Sequence, residues 1–324
     1  MKRKRLKTMK IPSKVYPYRL PYMGSKQNIA YSLILAMVQK KPKAKYFFDI
    51  FGGGAAMSLM ASQFGLKVFY TEKNAGIVNL LNFLKNNKIP KEWIKWVNRE
   101  GFKRCLGKDD PYSVFVTVVW SFGNNRQAYL FGKDIEELKR LAFEVIVNQD
   151  YKSLEKLQEL SGTKLLMPKG NNIQERRLKF CKQIKNIKPF KRGCQELQRI
   201  DEIKKLALTQ SLTQLECCSR LQQLEYLQQL EYLNGLKLPY DEVIIYCDPP
   251  YRNTAEYTDN DFNHNEFDEW VRKLKYDVFI SEYDTPFEKI ASFGKMSLLN
   301  NKKDKKPLIT ENLYFHKGKE GQHG

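Results

Sequence analysis

Histidine and cysteine are scarce in this 324-residue chain, with three of the first and six of the second. The cysteines, Cys105, Cys181, Cys194, Cys217, Cys218 and Cys247, form no CxxC pair, so neither a zinc centre nor any other metal is expected. They read as reduced thiols packed as small hydrophobes, which suits a cytoplasmic protein. Long apolar runs are missing too. The clearest, Leu33–Val38 and Val114–Trp120, fall well short of the roughly eighteen residues of a membrane span, so no membrane partner is expected. The charged Met1–Arg5 start is followed by no apolar signal region, which argues against export. Acids are outnumbered, 36 against 56 Lys and Arg, giving a net charge of +20 and a pI near 9.5. That imbalance favours a polyanionic partner, nucleic acid first. The P-loop pattern is also absent, since Gly24-Ser25-Lys26 lacks its first glycine and places serine before the lysine.

What is present is organised around Val243-Ile244-Ile245-Tyr246-Cys247-Asp248-Pro249-Pro250-Tyr251. The apolar, β-branched run predicts a core strand, which the two prolines stop because neither can donate a ladder hydrogen bond. Asp248 is thereby left at the carboxyl end of a central strand, where open α/β sheets hold ligands. Its carboxylate and the Pro249 carbonyl, fixed by the rigid Pro249-Pro250 turn, are two acceptors suited to the two N–H donors of an exocyclic amino group. Tyr251 adds a flat face for a planar base.

Two further segments read as a nucleotide-binding unit. Tyr46–Ile50 enters the turn Phe51-Gly52-Gly53-Gly54-Ala55 as a strand and leaves it as a helix, letting a ligand lie against bare backbone. Val68–Thr71 is a second strand ending in Glu72, about twenty residues beyond the glycines, where a carboxylate accepts ribose hydroxyls. Ahead of both, Tyr22-Met23-Gly24-Ser25-Lys26 opens a helix from Asn28 to about Val38 and offers backbone N–H groups and a cation to an anionic group.

The middle of the chain has a different character. A helical pattern is read over Asn79–Val97, with Leu80, Leu81, Leu84, Trp93 and Trp96 as core, and Val114–Trp120 is helix or strand. The loop Ser121–Gly132, with Asn124, Asn125 and Arg126, holds the residue types that read base edges and phosphates. Residues 164–205 carry thirteen Lys or Arg against four acids, among them Arg176, Arg177, Lys191 and Arg192, and read as a DNA-backbone surface. Leu212, Leu215, Cys218, Leu221, Leu224, Leu227, Leu230, Leu233 and Leu236 then recur every third residue. A strict period of three drifts about 60° per step around an α-helix, so the repeat requires a helix wrapped by neighbours or a short solenoid-like stretch. Further on, Tyr257, Phe262 and Phe267 sit in an acid-rich stretch read as a lid or loop. A helix near Glu266–Leu274, a strand at Asp277–Ser281 and a last strand at Glu311–His316 follow.

Taken in order, Tyr22–Lys26, Asp49–Ala55, the basic middle and Asp248–Tyr251 resemble the Dam-like family of DNA adenine-N6 methyltransferases, in the α arrangement of amino-methyltransferases. Glu72-Lys73-Asn74 with Asn79, and Ser281–Asp284, are similar to later segments of the same family. The resemblance spans roughly residues 20–85 and 240–315. It implies an α/β fold: a Rossmann-like sheet with its last strands in reversed order and an inserted, mainly helical target-recognition region. The expected organisation is a basic arm at 1–14, a discontinuous catalytic domain at 15–97 and 236–324, and a DNA-recognition insertion at 98–235 that includes the leucine repeat. S-adenosyl-L-methionine is the implied methyl donor, with Asp49, Phe51, Gly52 and Gly53 lining its pocket and Glu72 on its ribose. Tyr22, Gly24 and Lys26 would close over its methionine end. Asp248, Pro249, Pro250 and Tyr251 would be catalytic, acting on an adenine flipped from double-stranded DNA. A monomer acting site-specifically in the cytoplasm of a bacterial or phage-infected cell, as in restriction-modification, is the corresponding expectation. The tetrad alone leaves cytosine N4, RNA adenine, or an inactive nucleic-acid-binding homologue open. Three departures stand out: Ala55 replaces the family's last glycine in the turn, Ser121–Gly132 hardly matches the family's specificity ribbon, and Phe267 stands where a histidine is frequent.

Overall fold

The computed structural model describes residues 11–217, 226–252, 262–296 and 308–322. The chain is α/β, and among the described residues the strands form one mixed seven-stranded sheet in the order β3-β2-β1-β4-β5-β7-β6. The strands are β1 (Tyr46–Asp49), β2 (Lys67–Tyr70), β3 (Leu215–Cys217), β4 (Val243–Cys247), β5 (Val278–Glu282), β6 (Glu288–Met296) and β7 (Leu308–His316). The first five run parallel, while β7 lies antiparallel between β5 and β6. Among the described residues the helices are α1 (Ala30–Lys40), α2 (Ala56–Gln63), α3 (Ala75–Asn86), α4 (Arg99–Cys105), α5 (Pro111–Val119), α6 (Glu136–Asn148), α7 (Tyr151–Ser161), α8 (Ile173–Ile184), α9 (Gln195–Ala207), α10 (Gln210–Thr213), α11 (Tyr226–Gly235), α12 (His264–Lys273) and α13 (Lys319–Gln322).

Two compact units result. One comprises Ser25–Ala75 and Gln210–Gly324 with the segment ending at Tyr18, and the other Gly76–Thr209 with Arg19–Gly24. In the first, every residue of β4 and β5 is buried, as continuous apolar strands require when both faces of a parallel sheet are covered. Phe48, Ile245, Cys247, Val278 and Ile280 face a cluster with Leu233 of α11, Phe267, Trp270 and Val271 of α12, and its C-cap Leu274. A second buried network pins the opposite end of the sheet. The Lys41 ammonium donates to Asp277 Oδ2 at 2.8 Å and the Tyr240 carbonyl at 2.9 Å, while Asp277 Oδ1 accepts from the Gly318 N–H at 2.9 Å. Gly318 is obligatory there, because a Cβ would lie 2.2 Å from the Lys275 carbonyl oxygen.

The second unit is helical. Asn98, Asp110, Asp150 and Asn172 cap α4, α5, α7 and α8 by accepting N–H bonds from the first turn. Pro111 at the first position of α5 adds a preset φ. Residues 113–119 of α5 are all buried, so Val114–Trp120 resolves as helix with Trp120 as its C-cap. Trp120, Phe131 and Phe143 form its aromatic centre.

Several boundaries differ from the sequence reading. The pattern over 79–97 is not one helix: α3 ends at Asn86, and a 3-10 turn at Lys91–Trp93 follows Pro90, leaving Trp93 and Trp96 half-buried. Residues 76–97 group with the helical unit, and 210–235 with the sheet unit. The leucine repeat is therefore divided among elements of the sheet unit. Leu212 is buried on α10, Leu215 forms β3 beside β2, and Leu233 is buried on α11. Cys218, Leu221 and Leu224 lie outside the described residues, as do the 1–10 part of the basic arm and Tyr257.

Candidate active site

The carboxyl ends of β1, β2, β4 and β5 and the first half of antiparallel β7 carry five acids, Asp49, Glu72, Asp248, Glu282 and Glu311, and two of them, Asp248 and Glu311, meet one buried cation, Lys26. β1 ends in Asp49, which is 1% exposed. Its Oδ2 accepts from the Ser58 hydroxyl at 2.6 Å, while Oδ1 is buried with no partner among the described residues. Burial pushes this carboxyl up to about 7 against the Ser58 bond, and the nearby Asp248 and Glu72 charges push the same way.

The turn after β1 is shaped by contact with β2. At Gly52 a Cβ would sit 2.1 Å and 2.3 Å from Tyr70 ring carbons and 2.9 Å from the Thr71 carbonyl oxygen, so only glycine fits. The Gly52 N–H donates to that carbonyl at 2.8 Å, and the Tyr70 hydroxyl donates to the Gly53 carbonyl at 2.7 Å. Glu72 holds the same turn, its Oε2 accepting from the Gly53 N–H at 2.7 Å and its Oε1 from the Asn74 N–H at 2.9 Å. Gly53 has φ +48° and Ala55 φ +64°. Ala55 thus occupies the left-handed position a glycine fills more easily, at a cost on the order of 1 kcal/mol. Phe51 leaves the turn half-buried and meets Phe262 and Phe267 edge-on at 5.8 and 5.9 Å. Phe267, 2% exposed, belongs to the apolar wall under the turn.

The tetrad follows β4. Asp248, Pro250 and Tyr251 are half-buried and Pro249 is buried. The Lys26 ammonium lies 2.7 Å from both oxygens of Asp248, 3.4 Å from Glu311 Oε1 and 4.7 Å from the centre of the Tyr251 ring. Lys26 therefore stands on the tetrad carboxylate. Although burial pulls its pKa down, Asp248 and Glu311 raise it further, and it stays charged. Glu311 Oε1 also accepts from the Tyr251 hydroxyl. Burial pushes Glu311 up to about 7 against the attraction of Lys26. Glu282 is likewise pushed up to about 7 by burial; its Oε1 accepts from the Arg252 N–H at 2.8 Å and its Oε2 has no partner among the described residues. Arg252 reaches back to Asp268 at 2.7 Å. The Tyr246 hydroxyl shares a 2.8 Å hydrogen bond with Ser281.

Neither Glu311 nor Glu282 is singled out by the sequence reading. Glu311 had a signal, an acid inside a predicted strand, but its partners lie 60 and 285 positions away. Of the other expected residues, Tyr22 is half-buried and Gly24 takes φ +74° in an exposed turn; both group with the helical unit.

The residues expected to meet DNA all lie in the helical unit, in different environments. Arg176 is committed to its own fold: its guanidinium donates to the Ile146 and Val147 carbonyls at 2.7 and 3.2 Å, closing the last turn of α6. Arg177 donates to Gln174 at 2.7 Å. Arg126, at φ +59°, donates to the Thr117 hydroxyl at 3.2 Å, and Asn125 accepts from the Gln127 and Ala128 N–H groups. The Asn124 side-chain oxygen is buried without a partner among the described residues. Lys191 and Arg192 are exposed, and with Lys179, Lys182, Lys185 and Lys188 they make an exposed cationic run without an acid from 179 to 192. Arg199, unremarked in sequence, seals the end of α5 through the Val119 and Ser121 carbonyls at 2.8 and 2.7 Å.

Among the described residues no His, Cys, Asp or Glu group is arranged to hold a metal ion, and no helix is long and apolar enough to cross a membrane. The chain matches no family model and no curated protein.

Proposed function

We propose that the protein is a DNA methyltransferase that moves a methyl group from S-adenosyl-L-methionine to N6 of an adenine flipped out of duplex DNA. The observation that carries the proposal is convergence. A glycine turn, an acid after β2 and Asp248-Pro249-Pro250-Tyr251 lie at the carboxyl ends of the parallel strands of a sheet whose antiparallel β7 sits between β5 and β6. That reversed strand order is the one the family resemblance implies.

The residues present suit the donor. Gly52 lets the turn close against Tyr70 and Thr71 so that its backbone lies bare at the strand end, and Asp49 keeps a buried oxygen unmatched there. The acid-rich edge favours a molecule carrying a sulfonium and an ammonium. Asp49, Phe51, Gly52, Gly53 and Glu72 would hold it, and when bound it supplies an electrophilic methyl group.

The chain's own part is binding and orientation. The N6 lone pair of adenine is delocalised into the ring, so the amino group is a poor nucleophile. N–H bonds from N6 to Asp248 and the Pro249 carbonyl favour a more tetrahedral nitrogen, and Tyr251 stacks on the base. Positioning then accounts for most of the acceleration, without a covalent enzyme intermediate. Flipping costs a few kcal/mol, which contacts from the cationic run to the DNA backbone help offset. Asp248→Ala is expected to abolish methyl transfer while donor binding, followed by calorimetry, survives. Undiminished turnover in that variant would overturn the assignment.

A further inference from the structure

The Lys26 ammonium already occupies both oxygens of Asp248, the acceptors an incoming amino group needs. An ammonium has three donors, and a second carboxylate, Glu311, lies 3.4 Å from it, beyond a close charged hydrogen bond. Glu311 belongs to no other ion pair among the described residues. It is 1% exposed, on a strand paired with β5 and β6, so its position is fixed. It also holds the hydroxyl of Tyr251, whose ring lies under the same ammonium. A buried acid is retained at this cost only with partners that need it.

Resting on the methyltransferase reading, we propose that Glu311 is a positioning residue: it receives the Lys26 ammonium when the target amino group takes over Asp248, and its bond to Tyr251 couples that shift to the stacking ring. Lys26 thereby holds both oxygens of Asp248 until the base arrives. It then closes the remaining gap of roughly half an ångström to Glu311 rather than being left unpaired in a buried site. The exchange breaks one charged contact and forms another, so base entry does not leave the buried ammonium unpaired.

The device works only when Glu311 is ionised. The titratable and charged groups facing it are Lys26 from the turn before α1, Asp248 and Tyr251 from the segment after β4, and Tyr246 on β4. Glu282 lies at the end of β5, where its backbone pairs with Asn312. Of these, Lys26 stays charged throughout the neutral range, so a limb near neutrality reports the acids. Glu282 and Asp49 are the competing sources, because burial pushes both up to about 7, and Asp49 differs in acting on the donor pocket, so its limb would appear in donor affinity.

The test is steady-state methyl transfer to unmethylated duplex DNA from about pH 6 to about pH 9, with kcat and KM for DNA separated. Anisotropy of a labelled duplex is followed in parallel without turnover. In the wild type KM for DNA falls as pH rises through 7. Glu311→Gln should raise KM about tenfold at high pH, remove the limb and leave donor affinity unchanged. Glu282→Gln should keep the limb, and Lys26→Met should lose it although Glu311 is intact. Thermal melting identifies any variant that fails to fold, and Glu311→Asp, shorter by one methylene, should restore the limb with a weaker KM. A limb that persists in Glu311→Gln, or equal loss of kcat at every pH, overturns the inference while leaving the methyltransferase reading intact. A wild type that neither binds nor methylates nucleic acid overturns both.

Discussion

Replacing Gly52 by alanine tests the geometry on which the proposed donor site depends. The added Cβ would lie 2.1 and 2.3 Å from the Tyr70 ring and 2.9 Å from the Thr71 carbonyl oxygen, well inside van der Waals contact. The ring cannot simply swing away, because it is 1% exposed and its hydroxyl is tied to the Gly53 carbonyl at 2.7 Å. The turn must therefore move, stretching the Gly52-to-Thr71 backbone bond of 2.8 Å and the Gly53-to-Glu72 bond of 2.7 Å. Overpacking of this kind costs about 1–3 kcal/mol, and losing a charge-assisted hydrogen bond adds about 1.5 kcal/mol. A fall in melting temperature of roughly 5–12 °C is expected. Because the turn and Glu72 move together, donor affinity should fall by at least about tenfold. Calorimetry and thermal melting read both effects. The decisive control is the double variant with Tyr70→Leu, which removes the ring and should restore part of the stability lost in Gly52→Ala. Simple additivity of the two substitutions would refute the steric argument.

Other outcomes follow from the same reasoning. Glu196 is fully buried with both oxygens unpartnered among the described residues, and burial pushes it up to about 7 against the attraction of Lys139. The folded-state value lies above the unfolded one, so its favourable contribution is complete below about pH 4 and is lost as pH rises through 7. Glu196→Gln should therefore be more stabilising at about pH 8 than at about pH 5, by on the order of 3 kcal/mol; an equal change in melting temperature at both would contradict this. Arg176→Ala should destabilise the protein by about 1–2 kcal/mol through the freed carbonyls of α6. Lys191→Ala with Arg192→Ala should leave melting unchanged but weaken DNA binding and flatten its salt dependence by about two counterions. If the two sets of variants exchanged these phenotypes, the division of the basic residues into capping and DNA-facing groups would be wrong.

The centre of the sheet was legible because its signals are local. Val243–Cys247 is β-branched and apolar before two prolines, and Tyr46–Asp49 and Lys67–Tyr70 flank a glycine turn that only close backbone approach explains. What escaped depends on pairing at a distance. β6 carries Lys, Gly and Ser at alternating exposure and becomes a strand only by lying beside β7, with a register irregularity between Lys289 and Ala291. β3 was hidden inside a leucine period that matches neither helix nor strand, and only the free edge of β2 turns it into sheet. At the site, Asp248 and Tyr251 could be named from their tetrad, whereas Glu311 acquires meaning only once β7 returns antiparallel to Lys26 and Tyr251. Arginine composition likewise could not separate Arg176, spent on α6, from the exposed Lys191 and Arg192.

The most direct measurement is long-read sequencing of DNA from cells expressing the protein, scored for N6-methyladenine against an Asp248→Ala control. A methylated adenine recurring in one sequence context, absent from the control, is the predicted result. Unmodified adenine in DNA from cells holding well-folded wild-type protein would contradict the account.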